Sequence, residues 1–167
     1  MSERARLFVA VWPPDDVLDL IEALPRPDEP GVRYTRRAQW HVTLRFLGTA
    51  PIDEARAAFD TIVGEPATAE LGPAVSRLSR SIVVVPVHGL DDLAAATVAA
   101  TRDVGEPPDP RPFVGHITLA RLRGRPACRV AGHRIRAAFR VDEVHLVRSD
   151  LRPDGAVYET IATRPLG

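Results

Sequence analysis

An unbroken apolar run, Leu7 to Trp12 (LFVAVW), stops at Pro13-Pro14 and predicts a buried strand. Beyond the prolines, Val17, Leu18, Leu20, Ile21 and Leu24 recur at helical spacing, with Asp15 or Asp16 placed to cap the helix. The proline-rich, charged stretch 25–31 reads as a loop. Trp40 to Leu47 alternates apolar and polar positions, as a half-buried strand does, and Gly48 closes it. Ile52, Ala55, Phe59 and Ile62 share one face of a helix over 52–63, ended by Gly64. The order then recurs: a strand over 81–87 (SIVVVPV), an Ala-rich helix over 90–104 with Asp91 and Asp92 in its first turn, a proline-rich loop over 106–112, and a strand over 115–122. Two similar half-units, roughly 1–64 and 65–167, read as an internal duplication within one domain spanning 1–167. The remaining stretches, 139–149 and 156–163, predict two strands joined by a turn at Arg152-Pro153-Asp154-Gly155.

The fourth element of each half-unit carries the same chemistry. Trp40-His41-Val42-Thr43-Leu44 matches Gly115-His116-Ile117-Thr118-Leu119. Strand side chains alternate faces, so His41 and Thr43 share one side while Trp40, Val42 and Leu44 take the other. His116 and Thr118 likewise share a side, opposite Ile117 and Leu119. With 5 histidines and 10 threonines in 167 residues, chance supplies about 0.3 His-x-Thr triplets, so one copy says little. Two copies at matching places in a repeat point to function.

Two facing imidazoles suit the opening of a cyclic phosphate. A neutral imidazole takes the proton of attacking water, and a protonated one on the far side supplies the departing ribose oxygen. The threonine hydroxyls bind the non-bridging oxygens as their charge develops. The residues alone leave open which histidine is acid and which is base.

Composition narrows the alternatives. Hydrophobic residues make up 45% and charged residues 26%, an ordinary globular balance. The net charge of +0 argues against a broad coat for duplex nucleic acid, though it leaves room for a small basic groove. All 22 basic residues are arginine, which excludes a lysine nucleophile, a Schiff base or a lysyl adenylate. Cys128 is the sole cysteine, so no intrachain disulfide forms. No close His/Cys/carboxylate cluster marks a zinc site, and neither metal nor organic cofactor is expected. Leu7–Trp12 is too short for a signal segment and nothing reaches membrane-spanning length. A cytoplasmic monomer without a membrane partner is the expectation.

At these residues the sequence resembles the two-histidine (2H) phosphoesterase superfamily, and most closely the bacterial and archaeal RNA 2′,3′-cyclic phosphodiesterases, also known as 2′-5′ RNA ligases. RLFVAVWPPDDV resembles the family's opening strand and helix, WHVTLRFLG and GHITLARL its two motifs, and VHLVRSDLRPDGAVYETIATRPL its closing hairpin. The resemblance implies an α+β fold: two pseudo-twofold-related antiparallel β-sheet lobes forming a central cleft, with helices packed outside. It implies hydrolysis of RNA 2′,3′-cyclic phosphate ends to 2′-phosphomonoesters without a metal, on RNA 3′ ends or small cyclic nucleotides. It carries His41, Thr43, His116 and Thr118 over as the active set, His41 as proton donor to the 3′-oxygen and His116 as proton acceptor from water. Arg121 falls where the family has an arginine contacting phosphate or base. Gly115 departs from the family, which has proline before the second histidine.

Between Asp109 and Asp142 the chain has no acidic residue but eight arginines: Arg111, Arg121, Arg123, Arg125, Arg129, Arg134, Arg136 and Arg140. Most read as a solvated loop. Arg121, with Arg123 and Arg125, is the candidate start of an RNA path. Phe8, Phe46 and Trp40 read as core, and Phe113, in a loop near the second motif, as the candidate for stacking on a base. His88, His133 and His145 lack a partner motif and read as structural or surface residues. Two other readings stand beside the hydrolase: reversible 2′-5′ RNA ligation, which is the same chemistry run backwards, and a catalytically silent RNA-end binding module. The matched histidine pair counts against the last.

Overall fold

The computed structural model describes residues 2–167. Strand β1 (Arg4–Val11) leads to helix α1 (Asp15–Glu22), whose N-cap is Pro14 rather than the expected Asp15 or Asp16; both aspartates lie in the first turn, and no side chain caps the helix. A short strand β2 (Val32–Tyr34) and a 3₁₀ turn (Arg37–Gln39) precede β3 (Val42–Pro51), which runs straight into α2 (Ile52–Phe59). Then come β4 (Ala67–Leu71), β5 (Ser76–Ser79), β6 (Ile82–His88), α3 (Asp91–Thr101), β7 (His116–Leu122), β8 (Ala137–Val141), β9 (Glu143–Arg152) and β10 (Gly155–Pro165).

The strands form two antiparallel sheets with the helices outside, the α+β arrangement expected. One sheet has the order β10-β9-β1-β3, and the other β2-β7-β6-β4-β8, with β5 also paired to β6. In each sheet a strand pairs directly with the histidine-bearing strand that follows its helix: β1 with β3 across α1, and β6 with β7 across α3. Neither sheet comes from one stretch of chain. β2 joins the second sheet beside β7, while β9 and β10 return to complete the first beside β1.

Alternation along β1 divides its side chains. Leu7, Val9 and Val11 enter the main core with Val42, Leu44 and Leu47 of β3, Val17 and Ile21 of α1, Phe59 of α2, and Ile117 and Leu119 of β7. Each such side chain, fully buried, contributes about 1.5–3 kcal/mol. Phe8 and Ala10 face the other way and form a second cluster with Val147, Trp12 and Tyr158. That second face borders His41.

Two sequence expectations need correction. The strand expected over 139–149 is two strands in different sheets: Phe139 of β8 pairs with Ala69 of β4, and Val147 of β9 pairs with Phe8 of β1. The chain changes sheets at Asp142, whose carbonyl accepts the Leu166 N–H at 2.8 Å. The break shows in the buried positions, since Phe139 and Val141 step by two, whereas Val141 to Val144 steps by three. Gly48 does not end β3 either. It sits at φ +67 beside a register shift, and the strand continues to Pro51. The strands β2, β4 and β5 were not expected at all. Among the described residues no helix is long and apolar enough to cross a membrane.

Candidate active site

His41 lies one residue before β3, just after the 3₁₀ turn Arg37–Gln39. Trp40, Val42 and Leu44 are buried on the core side, and His41 and Thr43 are half-buried on the other. The His41 Nδ1 is 2.7 Å from the Gln39 carbonyl oxygen and Nε2 is 2.9 Å from Thr43 Oγ1. A carbonyl only accepts, so Nδ1 carries the proton and a neutral ring takes the Thr43 hydroxyl's hydrogen at Nε2. Gln39 is itself anchored, donating through Nε2 to the Ala156 carbonyl at 2.9 Å and accepting the Arg36 N–H at 2.9 Å.

Three aromatic rings surround His41. Their centroids lie 4.8 Å (Phe8), 5.1 Å (Tyr158) and 5.6 Å (Trp12) from the imidazole. Trp12 is steadied by its indole N–H, which donates to Thr160 Oγ1 at 3.0 Å. Crowding by these rings penalises the imidazolium. Burial lowers the His41 pKa from 6.5 to about 4 against the opposing pull of the Gln39 carbonyl, and the charges of His116 and Arg121 add smaller pushes downward. Those pushes also place the second motif within electrostatic reach of the first. Burial raises the Tyr158 hydroxyl, with Arg121 and Arg6 opposing it.

His116 opens β7 opposite Pro86 of β6, with Nδ1 2.7 Å from the Val114 carbonyl oxygen. The same tautomer follows, with the proton on Nδ1 and the lone pair of a neutral ring on Nε2. A Cβ at Gly115 would stand 2.3 Å from the Val87 carbonyl oxygen, and the Gly115 carbonyl accepts the Val87 N–H at 2.9 Å. Glycine here allows a close backbone approach that sets the entry of β7, rather than loosening it. Thr118 lies opposite Val84, and Arg121 opposite Ile82 on one side and Arg33 of β2 on the other.

A hydrogen-bond relay joins the two motifs. The Trp40 indole N–H donates to Thr35 Oγ1 at 3.0 Å, and the Thr35 hydroxyl donates to the Thr118 carbonyl at 2.7 Å. The residue before the first histidine is thereby tied to the backbone of the second motif. A second tie is Arg45, whose buried guanidinium donates to the carbonyls of Thr101 (3.3 Å), Val104 (3.2 Å) and Glu106 (2.8 Å). It holds the C-terminal end of α3, from which the chain runs on to His116.

Thr43 thus meets His41 directly, the charges of His116 and Arg121 act on it, and Thr118 follows His116 by two residues on β7. Phe113 is half-buried, packed against the main core and next to Gly115, the residue before His116. Phe8, Trp12 and Tyr158 line His41; the sequence places Phe8 in the core and singles out neither Trp12 nor Tyr158. Phe8 and Trp12 were legible as the positions alternating with Leu7, Val9 and Val11; Tyr158, far along the chain, gave no signal. His133 Nδ1 meets the Arg129 carbonyl, and His145, on β9 opposite Ala10 of β1, meets Thr163 Oγ1 through its Nδ1. Among the described residues no three His, Cys, Asp or Glu gather as metal ligands.

Residues 13–153 match the family model of the 2′-5′ RNA ligase superfamily. Among solved structures, TT0787 of Thermus thermophilus is 29% identical, with a TM-score of 0.81 over 96% of this chain and 97% of that one. A structure described as a phosphoesterase is 26% identical, with a TM-score of 0.76 over 98% and 99%. E. coli LigT complexed with 3′-AMP, at 24% identity, a TM-score of 0.73 and coverage of 98% and 99%, shows a likeness of fold alone. A comparison with curated proteins finds no match. The chain belongs to the 2′-5′ RNA ligase superfamily of two-histidine phosphoesterases.

Proposed function

We propose that the protein hydrolyses 2′,3′-cyclic phosphate ends of RNA to 2′-phosphomonoesters, exchanging protons at the Nε2 atoms of His41 and His116. The observation that carries this reading is the matched anchoring of the two rings. Each ring's Nδ1 lies 2.7 Å from the carbonyl oxygen two residues earlier, which leaves Nε2 of each ring for proton transfer; in His41 that nitrogen takes the Thr43 hydroxyl at 2.9 Å until substrate replaces it. Thr118 binds the non-bridging oxygens, Thr43 joins it when a protonated His41 Nε2 donates to the Thr43 oxygen and frees its hydroxyl hydrogen, and the Arg121 guanidinium balances the charge that builds there. No nucleophilic side chain is required, since water attacks phosphorus, gives its proton to one imidazole, and the ribose 3′-oxygen leaves with a proton from the other.

The first assignment, from family resemblance, has His41 as donor and His116 as acceptor. It requires the anionic phosphate to restore a proton to His41. One observation favours the reverse: burial lowers His41 to about 4, so the free protein presents it as a base. A substrate with sulfur in place of the 3′-oxygen distinguishes the two, because a thiolate departs without a proton. If His41 is the donor, His41→Ala regains most of its lost rate on that substrate while His116→Ala does not. The opposite rescue establishes the reverse assignment.

A ribose 5′-hydroxyl in place of water would form a 2′-5′ linkage by the same steps. The deciding experiment incubates the protein with RNA ending in 2′,3′-cyclic phosphate, with and without an acceptor carrying a 5′-hydroxyl, and identifies the products by mass. A 2′-phosphate product supports hydrolysis, and a joined product supports ligation. No turnover, or full activity after His41→Ala or His116→Ala, overturns the proposal in favour of a silent binding module.

A further inference from the structure

We propose that a groove at the far end of β7 binds the phosphodiester backbone of a single-stranded RNA whose cyclic end occupies the histidine site. This rests on the RNA-end reading above. The groove has a volume of about 590 Å³ and is lined by Arg77, Ser79, Arg80, Gly124, Arg125 and Pro126. One wall is β5 and its turn into β6. The other is the loop after β7, tied across by the Arg77 guanidinium, which donates to the Pro126 carbonyl at 3.2 Å.

The chemistry of the lining selects the ligand. It offers three guanidinium groups, a hydroxyl and a glycine backbone, with no carboxylate and no large apolar anchor. Among the described residues, the arginines held in ion pairs are Arg36, Arg37, Arg111, Arg129, Arg140 and Arg148. None of the groove arginines is in that set. Planar donors with no internal counter-charge suit a series of phosphates and carry no preference for base.

Charge continues from the groove to the catalytic cleft. Arg121 on β7 directly opposes Arg33 on β2, and neither belongs to the ion-paired set. Like charges facing each other across a strand pair are unfavourable unless an anion sits between them. Arg123 follows two residues later, and Arg125 enters the groove. From His116 to Leu122 the strand rises about 20 Å, more than a mononucleotide can span. A cyclic 3′ end leaves the rest of the RNA only on its 5′ side, so the chain has one exit, and this arginine row provides one.

The fold also sorts the eight arginines between Asp109 and Asp142. Arg111, Arg129 and Arg140 are in ion pairs, while Arg134 and Arg136 line a different groove with Leu20 and Leu24. Arg121, Arg123 and Arg125 remain and are joined by Arg33, Arg77 and Arg80 from distant parts of the chain. A protein of zero net charge thereby gains one concentrated positive track.

The test compares wild type with Arg77→Gln/Arg80→Gln/Arg125→Gln. Cyclic-phosphate oligonucleotides of one to eight nucleotides serve as substrates, and a 5′-labelled single-stranded RNA without the cyclic end reads binding independently of turnover. Expected in wild type is a kcat/KM that rises about tenfold or more once the oligonucleotide outgrows a dinucleotide. In the triple variant that gain is lost, turnover of the cyclic mononucleotide is unchanged, and the log–log salt slope of RNA binding falls by about 2. These arginines are on the surface, and thermal unfolding verifies that the variant folds. A length gain and salt slope equal to wild type would overturn the groove proposal, as would an acidic peptide binding there while RNA does not. If wild type turns over no cyclic phosphate at all, the catalytic reading fails, and labelled-RNA binding still decides the groove.

Discussion

His41 and His116 begin strands of matching sequence, and each rests its Nδ1 on the carbonyl two residues back at 2.7 Å. Beyond that they differ. His41 sits among Phe8, Trp12 and Tyr158 with Nε2 against the Thr43 hydroxyl, and burial brings it down to about 4. His116 stands at the mouth of β7 beside exposed Val114, facing Pro86 rather than a cluster of rings. The anchoring is local and comes with the motif, whereas the polarity of each site comes from strands far away in sequence. A repeated motif can therefore give two unlike groups, as a pair working as acid and base requires.

The largest test removes each ring in turn. His41→Ala and His116→Ala should each lower kcat by about 10²–10⁴-fold on a cyclic-phosphate substrate. The double variant should be little worse than either alone, because the two act in one step. Steady-state turnover checks this, and additive losses would break the pairing.

Next in size are the hydroxyls. Thr118→Val should cost about 10²-fold in kcat by removing a donor to the phosphate oxygens. Thr43→Val should cost a similar factor and also shift the acid limb of the pH–rate profile, because its hydroxyl contacts His41 Nε2. A shift in both variants, or in neither, would show that Thr43 does not tune His41.

Acid sensitivity of folding separates the two sites without any substrate. In the unfolded chain His41 titrates near 6.5, and in the fold near 4, so between these values the unfolded state binds more protons. The stability present above pH 6.5 is lost as pH falls toward 4, by about 3 kcal/mol in all. Half-buried His145, also lowered by burial, acts in the same direction. Urea unfolding at pH 7.5 and 4.5 should show a smaller acid loss in His41→Asn than in wild type or His116→Asn. Equal losses in all three would mean that His41 is not held neutral by the fold.

What could be read in the chain follows the same division. Both motifs, their faces and the strand–helix order were legible because periodicity is local, and the buried Trp40, Val42, Leu44, Ile117 and Leu119 lie where alternation puts them. The crossing at Asp142 was hidden because two strands abut with one intervening residue, and only the three-step from Val141 to Val144 betrays it. β2 is three residues long and β5 four, too short for a period to register. Tyr158 and Arg33 reach the site only through sheet pairing, which spacing cannot show.

The smallest expected effect bears most directly on why the two histidines differ. If burial by aromatic rings lowers His41, opening one wall should raise it without touching the Gln39 anchor. Tyr158 is the ring to remove. It lies on β10, its edge meets the imidazole at 84° with centroids 5.1 Å apart, and its loss leaves Phe8 and Trp12 in place. Tyr158→Ala admits water and should raise the His41 pKa by about one unit, roughly 1.4 kcal/mol, read from the imidazole Cε1 proton by NMR titration. Val157→Ala, on the opposite face of the same strand, is the control and should leave His41 unmoved. The rate separates the roles further. A higher His41 pKa at neutral pH places more protons on Nε2, so a donor His41 gains activity in the acid limb, whereas a base loses it. If His41 still titrates near 4 in Tyr158→Ala, the aromatic wall is not the cause, and the charges of His116 and Arg121 become the origin of the asymmetry.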